Sequence, residues 1–343
     1  MNITTVGIDL AKNVFQIHGV DGRGKVVLRK SVKRAELAKV FANLPTCLIG
    51  LEACGSAHYW ARRLMQLGHT VKLMAPQFVK PYVKTNKNDA RDAEAICEAV
   101  RRPNMRFVPV KSVEQQTVLG LHRARQGFVG ARTAQANQIR GLLYELGIVI
   151  PKGIRHLEQR LPEILEDAEN GLPGVSRELF ARLLEHFREL DGHVRELESQ
   201  IKAWHRENEA SQRLEGIPGI GALTASALVA SVGDAKTFKN GRQLAAWLGL
   251  VPRQASSGGK ERLLGISKRG DTYLRTLLIH GARAVMFHRI RGAADADSWL
   301  MKLLARRNRN VAAVALANKN ARVVWALLAH QREYRANAIG AAA

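Results

Sequence analysis

The chain lacks several features that would fix its class at once. None of its apolar runs reaches the roughly eighteen residues that a membrane-spanning helix needs, so the sequence predicts no membrane span. The first residues, MNITT, have neither the basic nor the apolar region of a signal peptide. The three cysteines, Cys47, Cys54 and Cys97, have no zinc-type spacing and are too few for a disulfide framework. These absences predict a cytoplasmic globular protein whose cysteines are buried thiols.

Acidic residues are also scarce relative to basic ones. The 343 residues include 53 Lys and Arg against 30 Asp and Glu, which gives a net charge of +23 that is scattered along the chain. Such a balance predicts a polyanionic partner, DNA or RNA, bound through neutralised phosphates. We therefore expect a protein that binds nucleic acid. A hydrophobic content of 46% is sufficient for two or three domains with real cores.

The first 110 residues show a β-strand pattern followed by alternating helix and strand. Apolar or alternating segments at residues 3–8, 14–20 and 25–32 predict an antiparallel meander. Helices at 34–43 and 57–67 and strands at 47–52 and 70–75 follow, and a loop with two prolines leads to a further helix. This order predicts an α/β domain of the ribonuclease-H-like fold, a mixed sheet with helices on both faces.

Four acids occupy notable places in this pattern. Asp9 interrupts the apolar first strand, Glu52 ends another apolar strand, and Asp89 and Asp92 lie three residues apart on an alanine-rich helix that Asn88 could cap. Singly, each acid is explained by a strand end or by the helix dipole. Together they are expected to converge and to hold two divalent cations, for which Mg²⁺ is the expected choice, for chemistry at a phosphodiester.

Residues 111–208 have a helical pattern. Apolar stripes at residues 113–147 and 177–208, with loop and a shorter helix between them, predict a protruding coiled-coil hairpin. Such a hairpin is more typical of a structural element or an oligomer contact than of a catalytic site.

A glycine-rich turn follows at residues 214–225. Its Gly219-Ile220-Gly221 segment resembles a helix-hairpin-helix motif, in which backbone amides of Gly219 and Gly221 meet a phosphate without reading sequence. A plain turn between packed helices is the alternative that the sequence leaves open.

A pair of serines lies in a second glycine-rich loop, within a mostly α-helical C-terminal domain predicted at residues 209–335. A serine that approaches a phosphate among cations can act as a nucleophile, because those cations offset the charge that develops. A phosphate-binding loop without a nucleophile is the alternative. No histidine is close in sequence, although Asp271 or a residue from another domain could act as base. The basic residues expected to contact nucleic acid are Arg253, Lys260, Arg262, Lys268, Arg269 and Arg275. The tail at 336–343 is predicted to be disordered.

Taken together, these motifs suggest a family. The segments GIDLAK (7–12), GLEA (50–53), NDARDA (88–93), GLVPR (249–253), SSGG (256–259) and SKRGD (267–271) resemble the DEDD transposases of bacterial insertion sequences, in the one-ten family and its eleven-eleven group. The resemblance extends over residues 1–330.

The resemblance implies a Holliday-junction-resolvase-like N-terminal domain, joined by a coiled coil to a transposase domain with a nucleophilic serine. Matched by motif, that serine is Ser257, with Ser256 as the fallback. The tetrad would be Asp9, Glu52, Asp89 and Asp92. The family implies recombination of DNA that is guided by an element-encoded RNA. It also implies dimers that assemble into tetramers, in which the acidic site of one subunit is completed by the serine of another. Two hypotheses stay open beside it: a metal-dependent junction endonuclease that uses water, and a non-enzymatic nucleic-acid scaffold.

Overall fold

The computed structural model describes residues 2–84, 89–291 and 298–335. The chain divides into two compact units, Met1–Val113 and Glu114–Ala343. The predicted cap Asn88 and the predicted tail at 336–343 lie outside the described residues.

The first unit is built on a six-stranded mixed sheet. Its strands are β1 (Thr5–Asp9), β2 (Val14–Val20), β3 (Val26–Lys33), β4 (Leu48–Glu52), β5 (Thr70–Met74) and β6 (Phe107–Val108). The spatial order is β3-β2-β1-β4-β5-β6. β1 pairs antiparallel with β2 and parallel with β4, β4 pairs parallel with β5, and β6 closes the edge antiparallel to β5. The predicted meander and mixed sheet are therefore confirmed.

Helices cover both faces of this sheet. They are α1 (Leu37–Ala42), after a 3-10 turn at Arg34–Glu36, α2 (Ala57–Gln66), α3 (Pro76–Val79), before a 3-10 turn at Lys80–Tyr82, and α4 (Asp89–Val100). Phe15, Phe41 and Trp60 belong to the core between the sheet and helices α1 and α2. The other face receives α4 at Gly7, where a Cβ atom would overlap the carbonyl oxygen of Ala93. This close approach brings the start of α4 towards the end of β1.

The second unit is mostly helical. Its elements are α5 (Val113–Glu145), α6 (Ile154–Glu166), α7 (Gly174–Glu207), α8 (Glu209–Glu215), α9 (Ala222–Val232), α10 (Gly241–Trp247), β7 (Pro252–Gln254), β8 (Leu263–Ile266), α11 (Thr272–Arg291), α12 (Trp299–Arg306) and α13 (Arg309–His330). A 3-10 turn lies at Ala235–Thr237, between α9 and α10.

The long helices α5 and α7 run antiparallel. Arg125 Nε donates to Glu198 Oε1 at 2.9 Å, and Arg132 pairs with Asp191 further along both helices. Helix α6 packs in a shared apolar core with the adjoining ends of both helices. The predicted antiparallel return is present, and its connection contains a helix of thirteen residues.

Helix α13 has the length and apolar composition that could cross a membrane. Core helices of soluble proteins pass the same test, and 44% of the apolar window of α13 is buried inside the unit. Ala313, Ala317 and Val324 are fully buried in the core that α8 to α13 share. The apolar character of α13 is therefore explained by packing.

Candidate active site

Three carboxylates converge where β1 ends and α4 begins. Asp9 is the last residue of β1, and Asp89 and Asp92 lie in the first turn of α4. One carboxylate oxygen from each of the three lies within 4.8 Å of the others. Carboxylates this close repel each other unless a cation or a proton intervenes. A set of oxygen donors that is only partly buried fits a hard divalent cation such as Mg²⁺.

Glu52 lies on the neighbouring strand at the same level of the sheet. Ile8 pairs with Leu51 in parallel register, so the next positions on the two strands are Asp9 and Glu52. The charges of both residues raise the pKa of the Cys54 thiol, after the larger effect of its partial desolvation by neighbouring atoms. The group of three acids found among the described residues does not include Glu52. Glu52 is thus a neighbour of the three-acid cluster.

Cys54 corrects one of the expectations from sequence. Cys47 and Cys97 are buried, as predicted, but Cys54 is exposed. The difference arises because Cys54 lies in the loop after the carboxyl end of β4, whereas Cys47 and Cys97 are packed inside the unit. The signal in the sequence that points to a thiol near the acids is the position of Cys54 two residues after Glu52.

A basic groove of about 420 Å³ begins beside the acids. Gln16, one of its lining residues, pairs with Asp9 across β1 and β2. The other lining residues with polar side chains are His18, Arg29, Lys30, Ser31, Arg91 and Glu94. Burial lowers the pKa of His18, while a hydrogen bond from Lys84 lowers the pKa of Glu94. Sequence reasoning missed the groove because its residues come from three elements and form no motif.

The serine loop of the second unit is a tight β-hairpin. β7 and β8 pair antiparallel, and beyond them Ser257 and Lys260 form a further bridge, in which Lys260 N donates to Ser257 O at 3.0 Å. Gly258 and Gly259 have φ of 55° and 76°. Two successive positive φ values are typical of the type I′ turn that joins hairpin strands, and glycine adopts them without strain. The serines therefore lie at the exposed tip.

The two adjacent serines differ in their contacts. Ser256 Oγ accepts hydrogen bonds from Arg262 N and from Gln254 Nε2, both at 3.1 Å. The Ser257 side chain is exposed, and within the described residues its hydroxyl makes no hydrogen bond. Ser256 thus stabilises the hairpin, whereas the Ser257 hydroxyl is available to a ligand.

Five of the predicted nucleic-acid contacts are exposed on the hairpin or the loop after it, namely Arg253, Lys260, Arg262, Lys268 and Arg269. Two glycines position that loop. A Cβ atom at Gly249 would overlap the Arg269 carbonyl oxygen, and one at Gly270 would overlap the Trp247 carbonyl oxygen. The segments GLVPR and SKRGD are therefore packed backbone to backbone, which holds Lys268 and Arg269 at the base of the hairpin.

Arg275 corrects the sixth prediction. Its side chain is only 8% exposed, and it donates to Leu248 O and to Thr272 Oγ1, both at 3.2 Å. A guanidinium held inside the unit joins α11 to the end of α10 and is not placed to meet a phosphate. Asp271 Oδ1 accepts from Leu274 N at 3.0 Å and so caps α11, which gives it a structural role beside its predicted one.

The glycine turn between α8 and α9 is explained in part by packing. Gly219 has φ of 89°, and a Cβ atom there would lie 2.7 Å from the Gly281 carbonyl oxygen on α11. The turn therefore fits directly against α11, which supports the packing alternative for Gly219. Gly221 precedes α9 and is exposed. Phosphate binding at either glycine stays a prediction.

Comparison with known proteins identifies relatives over almost the whole chain. The family model DEDD_Tnp_IS110, described as "Transposase", matches residues 6–148, and the model described as "Transposase IS116/IS110/IS902 family" matches residues 211–296. Both candidate sites lie inside these matches.

Three curated relatives are similar along their full length. A "Probable family 20 transposase" of Pseudomonas aeruginosa is 56% identical over 98% of this chain and 99% of its own. The "Transposase for insertion sequence element IS1111A" of Coxiella burnetii is 48% identical over 98% and 93%. The "Transposase for insertion sequence element IS1328" of Yersinia enterocolitica is 45% identical over 94% and 96%. The resemblance inferred from the motifs is confirmed, and the chain belongs to the IS116/IS110/IS902 family of insertion-sequence transposases, enzymes that cleave DNA and transfer its strands.

Proposed function

We propose that this transposase cuts and rejoins DNA with a metal-holding acid site in its first unit and a serine nucleophile, Ser257, in its second. The observation that carries the proposal is the convergence of Asp9, Asp89 and Asp92 from two elements that are far apart in the chain. The chain has a net charge of +23, so most charged residues on its surface are basic. Three clustered carboxylates differ from that background, which supports a specific role for them.

The first unit functions as a ribonuclease-H-like, resolvase-like domain. Its antiparallel meander continued by two parallel strands, with α4 across the face that carries Asp9, supports that assignment. The second unit acts in two parts, a coiled-coil hairpin up to residue 208 and a transposase domain from 209 to 335. The antiparallel pairing of α5 and α7 supports the first of these.

Asp9, Asp89 and Asp92 would hold Mg²⁺, with Glu52 completing the tetrad. When bound, the cation would polarise the scissile phosphate and offset its charge. The Ser257 hydroxyl attacks phosphorus, an Oγ–P bond forms, and the P–O bond to the leaving strand breaks. The proton lost by serine balances the proton gained by the leaving oxygen. The phosphoserine link conserves the energy of the phosphodiester bond, so the DNA strands can be rejoined by the reverse reaction.

The exposed hairpin suits this role. Ser257 lies at a turn whose backbone is fixed by two glycines, and Arg253, Lys260 and Arg262 on the same hairpin are positioned to neutralise the phosphate. Gly221, Lys268 and Arg269 would contact the flanking backbone. The same proposal includes an element-encoded guide RNA as a partner. It also includes a dimer that assembles into a tetramer, in which Ser257 of one subunit completes the acid site of another. The high positive charge is compatible with an RNA partner as well as with DNA.

Cleavage of a nicked suicide DNA substrate tests the proposal, because the leaving strand diffuses away and the covalent protein–DNA species accumulates. We expect an adduct with the parent protein and with Ser256→Ala, and none with Ser257→Ala. Asp9→Asn and Asp92→Asn should reduce adduct formation at least about a hundredfold, as expected for loss of a metal ligand. Glu36→Gln, which removes an exposed carboxylate elsewhere in the first unit, is the matched control.

Two results would overturn the proposal in different ways. Cleavage without an adduct, unaffected by Ser257→Ala, would show a metal-dependent endonuclease that uses water. An Asp9→Asn protein that recombines DNA as well as the parent would show that the acids are not catalytic.

A further inference from the structure

A second cavity, here called the aromatic cavity, lies on the first unit, and its lining residues come from helices α1 and α2 and from the segments that precede them. It measures about 600 Å³ and is lined by Arg34, Ser56, Tyr59, Trp60 and Arg63 together with two alanines. Its place in the chain ties it to the acids. Ser56 lies in the loop that leaves β4 after Glu52, and Arg34 Nη1 donates to the Lys12 carbonyl oxygen, at 3.5 Å, in the loop that leaves β1 after Asp9.

The lining of the aromatic cavity combines positive charge with aromatic rings and contains no carboxylate. The Arg34 guanidinium is held 5.7 Å from the ring centroid of Phe15 and 5.5 Å from that of Trp60. Cation–π contacts of this kind fix the guanidinium before any ligand arrives. A pre-positioned guanidinium offers the paired N–H donors that suit bidentate binding of a phosphate.

Tyr59 and Arg63 add a stacking surface and a second cation. They are four residues apart on α2 and therefore share one helix face. Tyr59 is 49% exposed although it is aromatic, and its ring meets Trp60 edge-on at 5.2 Å between centroids. The tyrosine ring is therefore held by contact with Trp60 and is half exposed to a planar ligand.

Trp60 is the buried member of the lining. The residue is 5% exposed, and its Nε1 has no hydrogen-bond partner among the described residues. A buried donor without an acceptor is costly, and few exist in folded proteins. Trp60 lines the aromatic cavity with its ring, whereas its Nε1 is closed to solvent, so the indole contributes apolar ring surface to the lining.

We propose that the aromatic cavity binds an unpaired nucleotide of the DNA strand that passes over the acids, with its base stacked on Tyr59 and its phosphate at Arg34 and Arg63. The inference rests on the proposed function for the identity of that strand. Exposed aromatic rings interleaved with cations are the usual platform for single-stranded nucleic acid, since every base offers a π face. A paired base could not stack in this way, so the cavity selects nucleotides that are unpaired next to the cleaved phosphate.

Binding of a short single-stranded DNA to the full chain, in EDTA and without cleavage, tests the proposal. The oligonucleotide carries one fluorescent aminopurine base, whose emission is quenched on stacking, and a matched oligonucleotide is abasic at that position. We expect quenching with the parent protein and with Tyr59→Phe. Tyr59→Ala should abolish the quenching and weaken binding about tenfold, the size of one lost base stack. Met65→Ala, which truncates an equally exposed side chain on the same helix, should change neither quantity.

The abasic oligonucleotide completes a double-mutant cycle. It should bind the parent protein about as weakly as the intact oligonucleotide binds Tyr59→Ala, with no further loss when the two changes are combined. Additive losses would overturn the proposal, because they would place the base elsewhere. A tighter, Tyr59-dependent complex with RNA of the same sequence would also overturn it, since the cavity would then be an RNA site. The test needs no metal and no adduct, so its failure is distinguishable from failure of the proposed chemistry.

Discussion

At the scale of the residue, Gly7 is the position on which the geometry of the acid site depends most. A Cβ atom there would overlap Ala93 O and lie within 3 Å of the Cβ atom of Cys97, so α4 could not lie against β1. We expect Gly7→Ala to lower the free energy of unfolding of the first unit by about 2–3 kcal/mol, the usual cost of overpacking. Chemical denaturation followed by circular dichroism measures this change.

Gly120→Ala is the matched control for that substitution. Gly120 lies on α5, and an added Cβ atom would meet nothing within 4 Å. Alanine has a higher helix propensity than glycine, so this variant should be unchanged or more stable by up to about 1 kcal/mol. Equal destabilisation by both substitutions would contradict the packing account of Gly7.

His122 is a buried histidine that belongs to no sequence motif. Its Nδ1 lies 3.0 Å from the Tyr273 hydroxyl and its Nε2 lies 3.1 Å from Ser226 Oγ. Ser226 donates its own proton to Ala222 O, so it must accept from His122 Nε2, which leaves Nδ1 as the acceptor for Tyr273. The network therefore requires a neutral imidazole. Burial, aided by the charge of Arg125, lowers the pKa of His122 from 6.5 to about 4.

This shift predicts a dependence of stability on pH. Between about pH 6.5 and pH 4 the unfolded chain binds a proton at His122 that the folded chain does not, so the free energy of unfolding falls as the pH falls. The loss approaches about 3 kcal/mol at the acid end. Denaturation of the parent protein and of His122→Gln across this window should show a steeper slope for the parent. His186→Gln, on the exposed surface of α7, should behave like the parent, and parallel curves for all three proteins would refute the assignment.

At the scale of the element, the serine hairpin offers the sharpest test. The type I′ turn tolerates asparagine at its first central position, whereas a β-branched residue cannot adopt the positive φ of Gly258 without strain. We expect Gly258→Asn to keep most of the adduct formation. Gly258→Val should reduce adduct formation at least about tenfold, because the turn strain displaces the nucleophile. Thermal unfolding should show that both variants remain folded, and full activity of Gly258→Val would contradict the proposed role of the turn.

The elements also show what could be predicted from sequence. Strands β1 to β5 and helices α2, α5 and α7 were predicted to within a few residues, because alternation and helical spacing are local signals. The two-residue strand β6 was not predicted, since so short an edge has no pattern. The sequence predicts only a loop where β7 and β8 form a hairpin, because β7 is fully exposed and the segment LLGI of β8 has no alternation of polar and apolar residues.

The candidate site could also be predicted only in part from the sequence. Asp9 and the Asp89/Asp92 pair were expected to meet because topology brings the end of β1 under α4, and the three do meet. The exposure of Cys54, the internal role of Arg275 and both cavities depend on tertiary packing, which no local pattern records.

At the scale of the whole molecule, the net charge of +23 governs affinity for DNA. Binding should weaken steeply with salt, because each neutralised phosphate releases counterions. Lys268→Gln should lower the slope of log K against log salt by about 1, the effect of one lost phosphate contact. Lys25→Gln, in the turn between β2 and β3, is the control and should leave the slope unchanged. An unchanged slope for Lys268→Gln would place that residue outside the interface.

The central claim is that the second unit supplies a serine which carries the DNA while the acids of the first unit hold the metal. Mass spectrometry of the protease-digested adduct from a nicked substrate tests this claim most directly, because it identifies the residue bonded to phosphate. We predict a nucleotide on Ser257 when the parent protein reacts in the presence of Mg²⁺. We predict no modified peptide from Asp9→Asn under the same conditions. A nucleotide on Ser256 or any other residue, or cleaved DNA with no modified peptide, would contradict it.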